Sequence, residues 1–564
     1  MLVTLYNGGV NRWIAALASA LLLAISCGRE TPAADSSSAT SAAVVDDSKP
    51  VDGGTLIRRS DSDVATLNPV LATSTYDRRV VMYLFTPLVH LDVNLRPIAG
   101  IAEKWEISDD GKQYTFHLNP KATFDDHTPV LASDVLFTIK KIVDPNMEAT
   151  QVAGGFDQLD VANTKVIDPH TIVVAFKTAL APQIIQFNSL FPVPEHVYSK
   201  GDFRTDFTST AVGSGPYRLV RRVPGKEVVL ERRDDFWGTK PHIKTVLFKT
   251  ITDLNTAWNA VKRGDIDETI ISSDVWTMES QRADLQRTLD FRRFYTLNYN
   301  FVGWNTKDPL FADKRVRRAM AQCIDLKSII NNLYHGTARA MSGPFTPDEW
   351  AYNPNVPVIE FDPQAARRTL NSLGWLDTDG DGILDRNKKP FAFDLLITAG
   401  PTGTAFGQLF QAAAQDAGVK VNVVALDATA FFQRTFAGNY QAAYMSWELD
   451  PDPDPFTLFH STQAPPHGQN FVGYASPVAD RLLEEGRRTF DISKRIPIYQ
   501  KLHEVLADDQ PYTCTVQVSS KWAINKRVRN VKESKAWGLF LWYPGELDWW
   551  LAPDANHPAA AKAP

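Results

Sequence analysis

Residues 391–450 read FAFDLLITAGPTGTAFGQLFQAAAQDAGVKVNVVALDATAFFQRTFAGNYQAAYMSWELD, and the periodicity of this stretch decides the fold. Phe391–Thr398, Lys420–Leu426 and Tyr440–Trp447 are short apolar runs with strand character, whereas Gly403–Ala417 and Thr429–Ala437 place apolar residues at helical spacing. Strand, helix, strand, helix, strand implies a parallel sheet with right-handed crossovers. In such a sheet ligands bind outside the carboxyl ends of the strands. The last strand delivers Glu448-Leu449-Asp450 to that rim, followed by Pro451-Asp452-Pro453-Asp454-Pro455-Phe456. Proline fixes its own φ and supplies no amide donor, so this loop is stiff and its carboxylates are held in place.

Outward from this stretch the pattern stays mixed α/β. Gln113–Leu118, Thr171–Phe176, Glu227–Glu231 and Thr245–Thr250 read as strands. Ser133 is expected to cap a helix carrying Leu136, Ile139, Ile142 and Val143, stopped before Pro145. Asp362-Pro363 supplies an N-cap and an N1 proline for a helix with Ala366, Leu370 and Leu373, and Gly374 closes it. A chain of 564 residues is too long for one hydrophobic core, so two or three domains are expected. With 44% hydrophobic and 22% charged residues the composition is globular. The net charge of −6 is spread with both signs mixed, and no basic tract points to nucleic acid.

The N-terminus reads as an export signal. After Arg12, residues 13–25 are almost wholly apolar, a helix of roughly 20 Å, too short for about 30 Å of hydrocarbon but suited to a signal-peptide core. Leu23-Ala24-Ile25-Ser26-Cys27 resembles a bacterial lipobox, which implies lipidation of Cys27 and removal of the residues before it. Residues 28–52 are rich in Ser, Ala, Thr and Asp, and read as a flexible tether with a root-mean-square span of about 25–30 Å. Cys323 lies on a helical apolar stripe with Val316, Met320 and Ile324, and Cys514 in a strand-like run; whether the two pair is left open.

Enzyme motifs are missing: there is no G-x-S-x-G, H-E-x-x-H, P-loop or G-x-G-x-x-G, and Ala507 stands where a zincin opening at His503-Glu504 requires a second histidine. No cofactor is expected. Asp377, Asp379, Asp381 and Asp385 occupy positions 1, 3, 5 and 9 of a calcium loop with Gly382 at 6, but Lys388 replaces the bidentate Glu at 12. The stretch reads as a solvated Asp-Gly turn, with calcium as the alternative.

Other segments carry a family resemblance. Tyr114–Leu118, Phe124-Asp125-Asp126-His127-Thr128-Pro129-Val130 and Ala132-Ser133-Asp134-Val135 resemble the signature segment of the family 5 solute-binding proteins of ABC importers, the oligopeptide- and dipeptide-binding lipoproteins, with His127 where that turn carries glycine. Gly213-Ser214-Gly215-Pro216-Tyr217, Asp235-Phe236-Trp237, Gly264-Asp265-Ile266-Asp267 and the run Asn305, Pro309-Leu310-Phe311, Arg315-Val316-Arg317-Arg318-Ala319, Ile324-Asp325 are similar to later motifs of that family in the same order. The resemblance spans residues 53–551.

It implies a periplasmic-binding-protein type II fold, two α/β lobes around a cleft plus an inserted domain. The boundaries expected are a lipoprotein signal peptide at 1–27, the tether at 28–52, a discontinuous lobe I at 53–84, 206–304 and 515–552, the inserted domain at 85–205, lobe II at 305–514 and a tail at 553–564. The aromatic cluster Trp537, Trp542, Tyr543, Trp549 and Trp550 is expected to pack the returning C-terminal segment. Trp447-Glu448-Leu449-Asp450 resembles the family's W-x-x-D, whose aspartate takes a peptide's α-ammonium group; Asp452 is the other candidate, because Asp-Pro units recur. The backbone of Ser446 to Glu448 is expected to pair with an extended peptide. Lobe I is expected to contribute Tyr76 and Asp77 just ahead of a helix at 79–85. The function implied is a monomeric, membrane-anchored lipoprotein of the periplasm or cell envelope that delivers a peptide to ABC permease subunits. The alternative is the same fold binding a nickel complex, a sugar or an opine; a cell-surface hydrolase is the rival of another class.

Overall fold

A computed structural model describes residues 49–534 and 542–553. The apolar run, Cys27, nearly all of the tether, Trp537 and most of the tail lie outside the described residues.

Three sheets organise the chain. The first runs Leu289–Tyr295, Val516–Asn525, Glu268–Ile270, Thr55–Ser60, Thr245–Thr250, Glu227–Arg232, Tyr217–Val223, with Ala338–Ala340 added beside Val516–Asn525. The second runs Lys420–Leu426, Ala392–Thr398, Ala442–Glu448, Asn298–Trp304, Tyr512–Cys514. The third, Ala102–Ile107, Gln113–Leu118, Thr171–Ala175, Lys165–Asp168, is antiparallel throughout. The first two sheets are the cores of two lobes, and the third belongs to a domain inserted into the first lobe.

The stretch 391–450 forms the elements its periodicity predicts. Ala392–Thr398 pairs in parallel with both Lys420–Leu426 and Ala442–Glu448, and the helices Pro401–Asp416 and Ala428–Phe436 make the crossovers. Asp362 caps Pro363–Ser372 by accepting from the Ala365 amide at 2.8 Å, and Gly374 beyond it takes a left-handed φ of 84°. Ser133 is not the cap expected. Its helix is Ala132–Val143, and Asp134 does the work, its carboxylate accepting from the amides of Leu131 at 2.8 Å and Glu195 at 2.9 Å.

One boundary also differs. Residues 298–304, expected with lobe I, pair with Ala442–Glu448 and Tyr512–Cys514 in the second sheet. The chain therefore crosses between lobes at Thr296-Leu297, and returns at Thr515 into Val516–Asn525. Side-chain amides lace the crossing: Asn298 Nδ2 donates to Thr296 Oγ1 at 2.6 Å, and Gln517 Nε2 to the Thr296 carbonyl at 2.7 Å.

The C-terminal return is tied into lobe I by buried charge. Glu546 accepts from Tyr83 at 2.6 Å, from Arg79 at 3.3 Å and from Arg58, which also donates to Glu268 at 3.0 Å. Burial pushes the Glu546 carboxyl up to about 7 against the pull of Arg58. Trp542, Trp549 and Trp550 are buried, and Tyr543 stacks on His90 at 4.3 Å. Gly213 lets its turn approach the end of the helix Thr75–Leu84; a Cβ there would stand 1.9 Å from the Leu84 carbonyl oxygen. Cys323 and Cys514 are both buried free thiols.

Candidate functional site

The strand Ala442–Glu448 is the central element of the site. Ala443, Met445 and Trp447 face one core, and Ala442 and Tyr444 another. Trp447 is 3% exposed, stacks on Phe301 and donates toward Tyr512 Oη at 3.4 Å, so it supports the strand from behind. Ala392–Thr398 pairs with this strand only from Ala442 to Tyr444. The strand then runs on past its neighbour, with half-buried Ser446 and exposed Glu448 on the side away from Trp447.

Asp450 ends this run with a solvent-reached side chain. Although its surface reaches solvent, partial desolvation raises its carboxyl above the ordinary range, and nearby positive charge, Arg78 among it, opposes that rise. Arg78 lies on the helix Thr75–Leu84 of lobe I, near enough for its charge to be felt at Asp450, and donates to Ser189 Oγ at 3.4 Å.

Asp452 is placed differently. It is 8% exposed and bound at both oxygens by Arg495, Nη1 to Oδ2 at 2.7 Å and Nη2 to Oδ1 at 2.8 Å. Such a bidentate pair consumes the carboxylate. Asp454 pairs with Arg487 at 3.3 Å, and the Arg487 guanidinium lies 3.9 Å from the centre of the Phe456 ring. Two arginines from later helices, Pro477–Arg488 and Ile492–Asp509, thus clamp the loop and leave Asp450 at its exposed start.

On the opposite wall the helix starts at Thr75, four residues earlier than expected, so Tyr76 and Asp77 lie within it. Asp77 is buried in a capping box: Ser74 Oγ accepts from its amide at 3.0 Å, and its carboxylate accepts from the amides of Ser74 at 3.4 Å and Ala65 at 2.7 Å. It is a structural residue. Tyr76 is half-buried and its hydroxyl donates toward Asp61 Oδ2 at 3.4 Å. Asp61, directly after the strand Thr55–Ser60 and held by Arg59 at 2.9 Å, was not singled out from the sequence, because the Arg-Arg-Ser end of that strand carries no apolar signal.

In the Asp-Gly turn, carboxylate oxygens of Asp377, Asp379 and Asp381 lie within 4.8 Å of one another. Each also accepts from a turn amide, of Gly380 at 2.9 Å, Asp381 at 3.3 Å and Ile383 at 2.8 Å respectively. Asp385 does not join them, because it accepts from the amide and hydroxyl of Thr378. His127, where the related turn has glycine, takes φ 67° and reaches Asp235 at 3.1 Å.

His503 sits on the helix that carries Arg495 and has no exposed surface. Its Nδ1 accepts from the Asn353 amide at 3.1 Å and its Nε2 faces Ser342 Oγ at 3.3 Å, so the ring is neutral. Burial lowers it to about 4 from an ordinary 6.5. A depressed histidine contributes stability that is full above about 6.5 and is lost as pH falls toward 4. Between pH 7 and pH 5 this group is expected to cost about 2 kcal/mol. Urea unfolding at the two pH values, in wild type and His503→Gln, should show a shallower pH dependence in the variant; equal slopes would rule the assignment out.

Two sheets joined by paired crossing strands, with Asp450 exposed at a strand end, are the arrangement of a two-lobed protein with a cleft between its lobes. Residues 96–469 match the model of the bacterial extracellular solute-binding proteins, family 5, middle region, and the chain belongs to that family. It is 26% identical over 533 residues to the oligopeptide-binding protein AppA of Bacillus subtilis, covering 92% of this chain and 95% of that one. It is 27% identical over 511 residues to the periplasmic oligopeptide-binding protein OppA of Salmonella typhimurium, covering 86% and 91%. The solved AppA structure, in complex with a nonapeptide, has a TM-score of 0.73 at 24% identity, covering 90% of this chain and 100% of that one.

Proposed function

We propose that this chain captures a peptide between its lobes and hands it to the permease of an ABC importer, held outside the cytoplasmic membrane by a lipid on Cys27. The observation that carries the reading is Asp450, an exposed carboxylate at the end of a strand that runs on past its neighbour. An extended peptide can pair with that strand's main chain while its ammonium group meets Asp450. Such recognition reads main chain and terminus and leaves the side chains loosely specified. Tyr76 offers a hydroxyl from the opposite wall. In this reading lobe II begins at Asn298 rather than Asn305. The names of the relatives, oligopeptide- and dipeptide-binding proteins, support the peptide class.

Native mass spectrometry of protein purified without unfolding tests the reading directly. A co-purified mass that fragments as a peptide is expected. A co-purified metal chelate or sugar would replace the ligand class. Incubation with peptides tests the rival of another class, since a binder returns its ligand intact and a hydrolase does not.

A further inference from the structure

The inserted domain is joined by chain to lobe I at both of its ends, and lobe II is joined to lobe I through the crossings at Thr296-Leu297 and Thr515. No covalent path runs directly from the inserted domain to lobe II, so any contact between them depends on the angle at the crossing. The structure contains such a contact. The Ala181 amide of the inserted domain donates to the Arg487 carbonyl of lobe II at 2.8 Å. Beside it the Phe490 ring lies against Gly111, where a Cβ would come within 2.7 Å of the ring and 3.1 Å of the Ala179 Cβ. Gly111 also takes a left-handed φ of 69°, so its turn presents a flat backbone surface that side chains would obstruct.

Phe490 is 42% exposed and lies between the helices Pro477–Arg488 and Ile492–Asp509. Burying part of this exposed ring against Gly111 and Ala179 gives it an apolar contact with the other body. Arg487, whose carbonyl makes the hydrogen bond, is also the residue whose guanidinium meets Asp454 at 3.3 Å and covers Phe456. The same residue thus touches the inserted domain with its backbone and the loop after Asp450 with its side chain.

We propose that Phe490 and Arg487 form a latch by which lobe II closes onto the inserted domain, and that Arg487 couples the latch to the loop following Asp450. Phe490 and Arg487 are positioning residues: neither is placed against ligand. The latch rests on the two-lobed binding reading but not on the ligand's being a peptide. When the lobes separate, the Ala181 amide loses its acceptor and the ring loses Gly111, while the sheets on either side stay intact. The loop then loses one of its two arginine clamps to whatever extent Arg487 relaxes.

Hydrogen exchange on the full chain, with no ligand added, tests this and stays informative whatever the ligand proves to be. In wild type the Ala181 amide should be protected. Phe490→Asp should raise its exchange at least tenfold and raise the exchange of the Leu458 and Phe459 amides, which bond to the Pro455 carbonyl in the loop. Amides inside Gln113–Leu118 and Leu502 should be unchanged, which separates unlatching from unfolding. Phe490→Leu, which keeps an apolar contact, should restore most of the protection. Equal Ala181 exchange in wild type and Phe490→Asp would overturn the latch. Faster exchange at Ala181 with Leu458 and Phe459 unmoved would overturn the coupling.

Discussion

Asp452→Ala is expected to destabilise the protein by about 3–5 kcal/mol, the cost of leaving one member of a buried ion pair alone. Arg495 is 4% exposed, and its guanidinium lies 4.9 Å from the ring centre of Trp350 and 5.2 Å from that of Tyr499. Its Nε already donates to the Gly486 carbonyl at 2.9 Å, so only Nη1 and Nη2 face Asp452. Tyr499 Oη, at 3.4 Å, is a poor substitute for a carboxylate. Without Asp452 the charge must stay desolvated or drag the loop open to reach water. Replacing both partners by apolar residues, Asp452→Leu with Arg495→Met, should recover most of the loss, because the desolvation cost of both ions disappears. Urea unfolding of the single and double variants measures this. A single variant within 1 kcal/mol of wild type would mean that the pair carries little, and Asp452 would then stand beside Asp450 as a ligand residue.

That pair also shows where the sequence stops being legible. Three Asp-Pro units in a row present three similar carboxylates, and nothing local separates them. The residues that do, Arg487 and Arg495, come from helices up to 43 positions away. By contrast, residues 391–450 were readable because burial on a parallel sheet and on amphipathic helices writes its period directly into the chain. The strands there fall within two residues of expectation, and Asp362-Pro363 marked a helix start by chemistry alone. The helix at Thr75 was misplaced because its first turn, Thr75-Tyr76-Asp77-Arg78, has no apolar residue at helical spacing. Its legible signal was Ser74-x-x-Asp77, an acid that returns to cap its own helix, and this turns an expected ligand group into a structural one. The lobe crossing at Thr296-Leu297 was displaced as well: only two residues separate the strands Leu289–Tyr295 and Asn298–Trp304, and nothing local in the sequence says that they join different sheets.

Asp450→Ala is expected to weaken peptide binding by about 2–4 kcal/mol, roughly 30- to 1,000-fold, with little change in melting. The two halves of that expectation have separate causes. Binding suffers because a peptide's ammonium group, brought out of water between two lobes, needs a charged partner, and Asp452 is already held by Arg495. Stability does not suffer because Asp450 is exposed and the clamps on its loop act at Asp452 and Asp454. N-acetylating the peptide deletes the other partner of the same pair. It should reproduce much of the loss in wild type and add little in Asp450→Ala, so the two changes should be strongly non-additive. Isothermal titration of the four protein–peptide combinations, with a peptide of the sequence that co-purifies, yields the coupling energy. Additive losses would show that Asp450 does not meet the ammonium group.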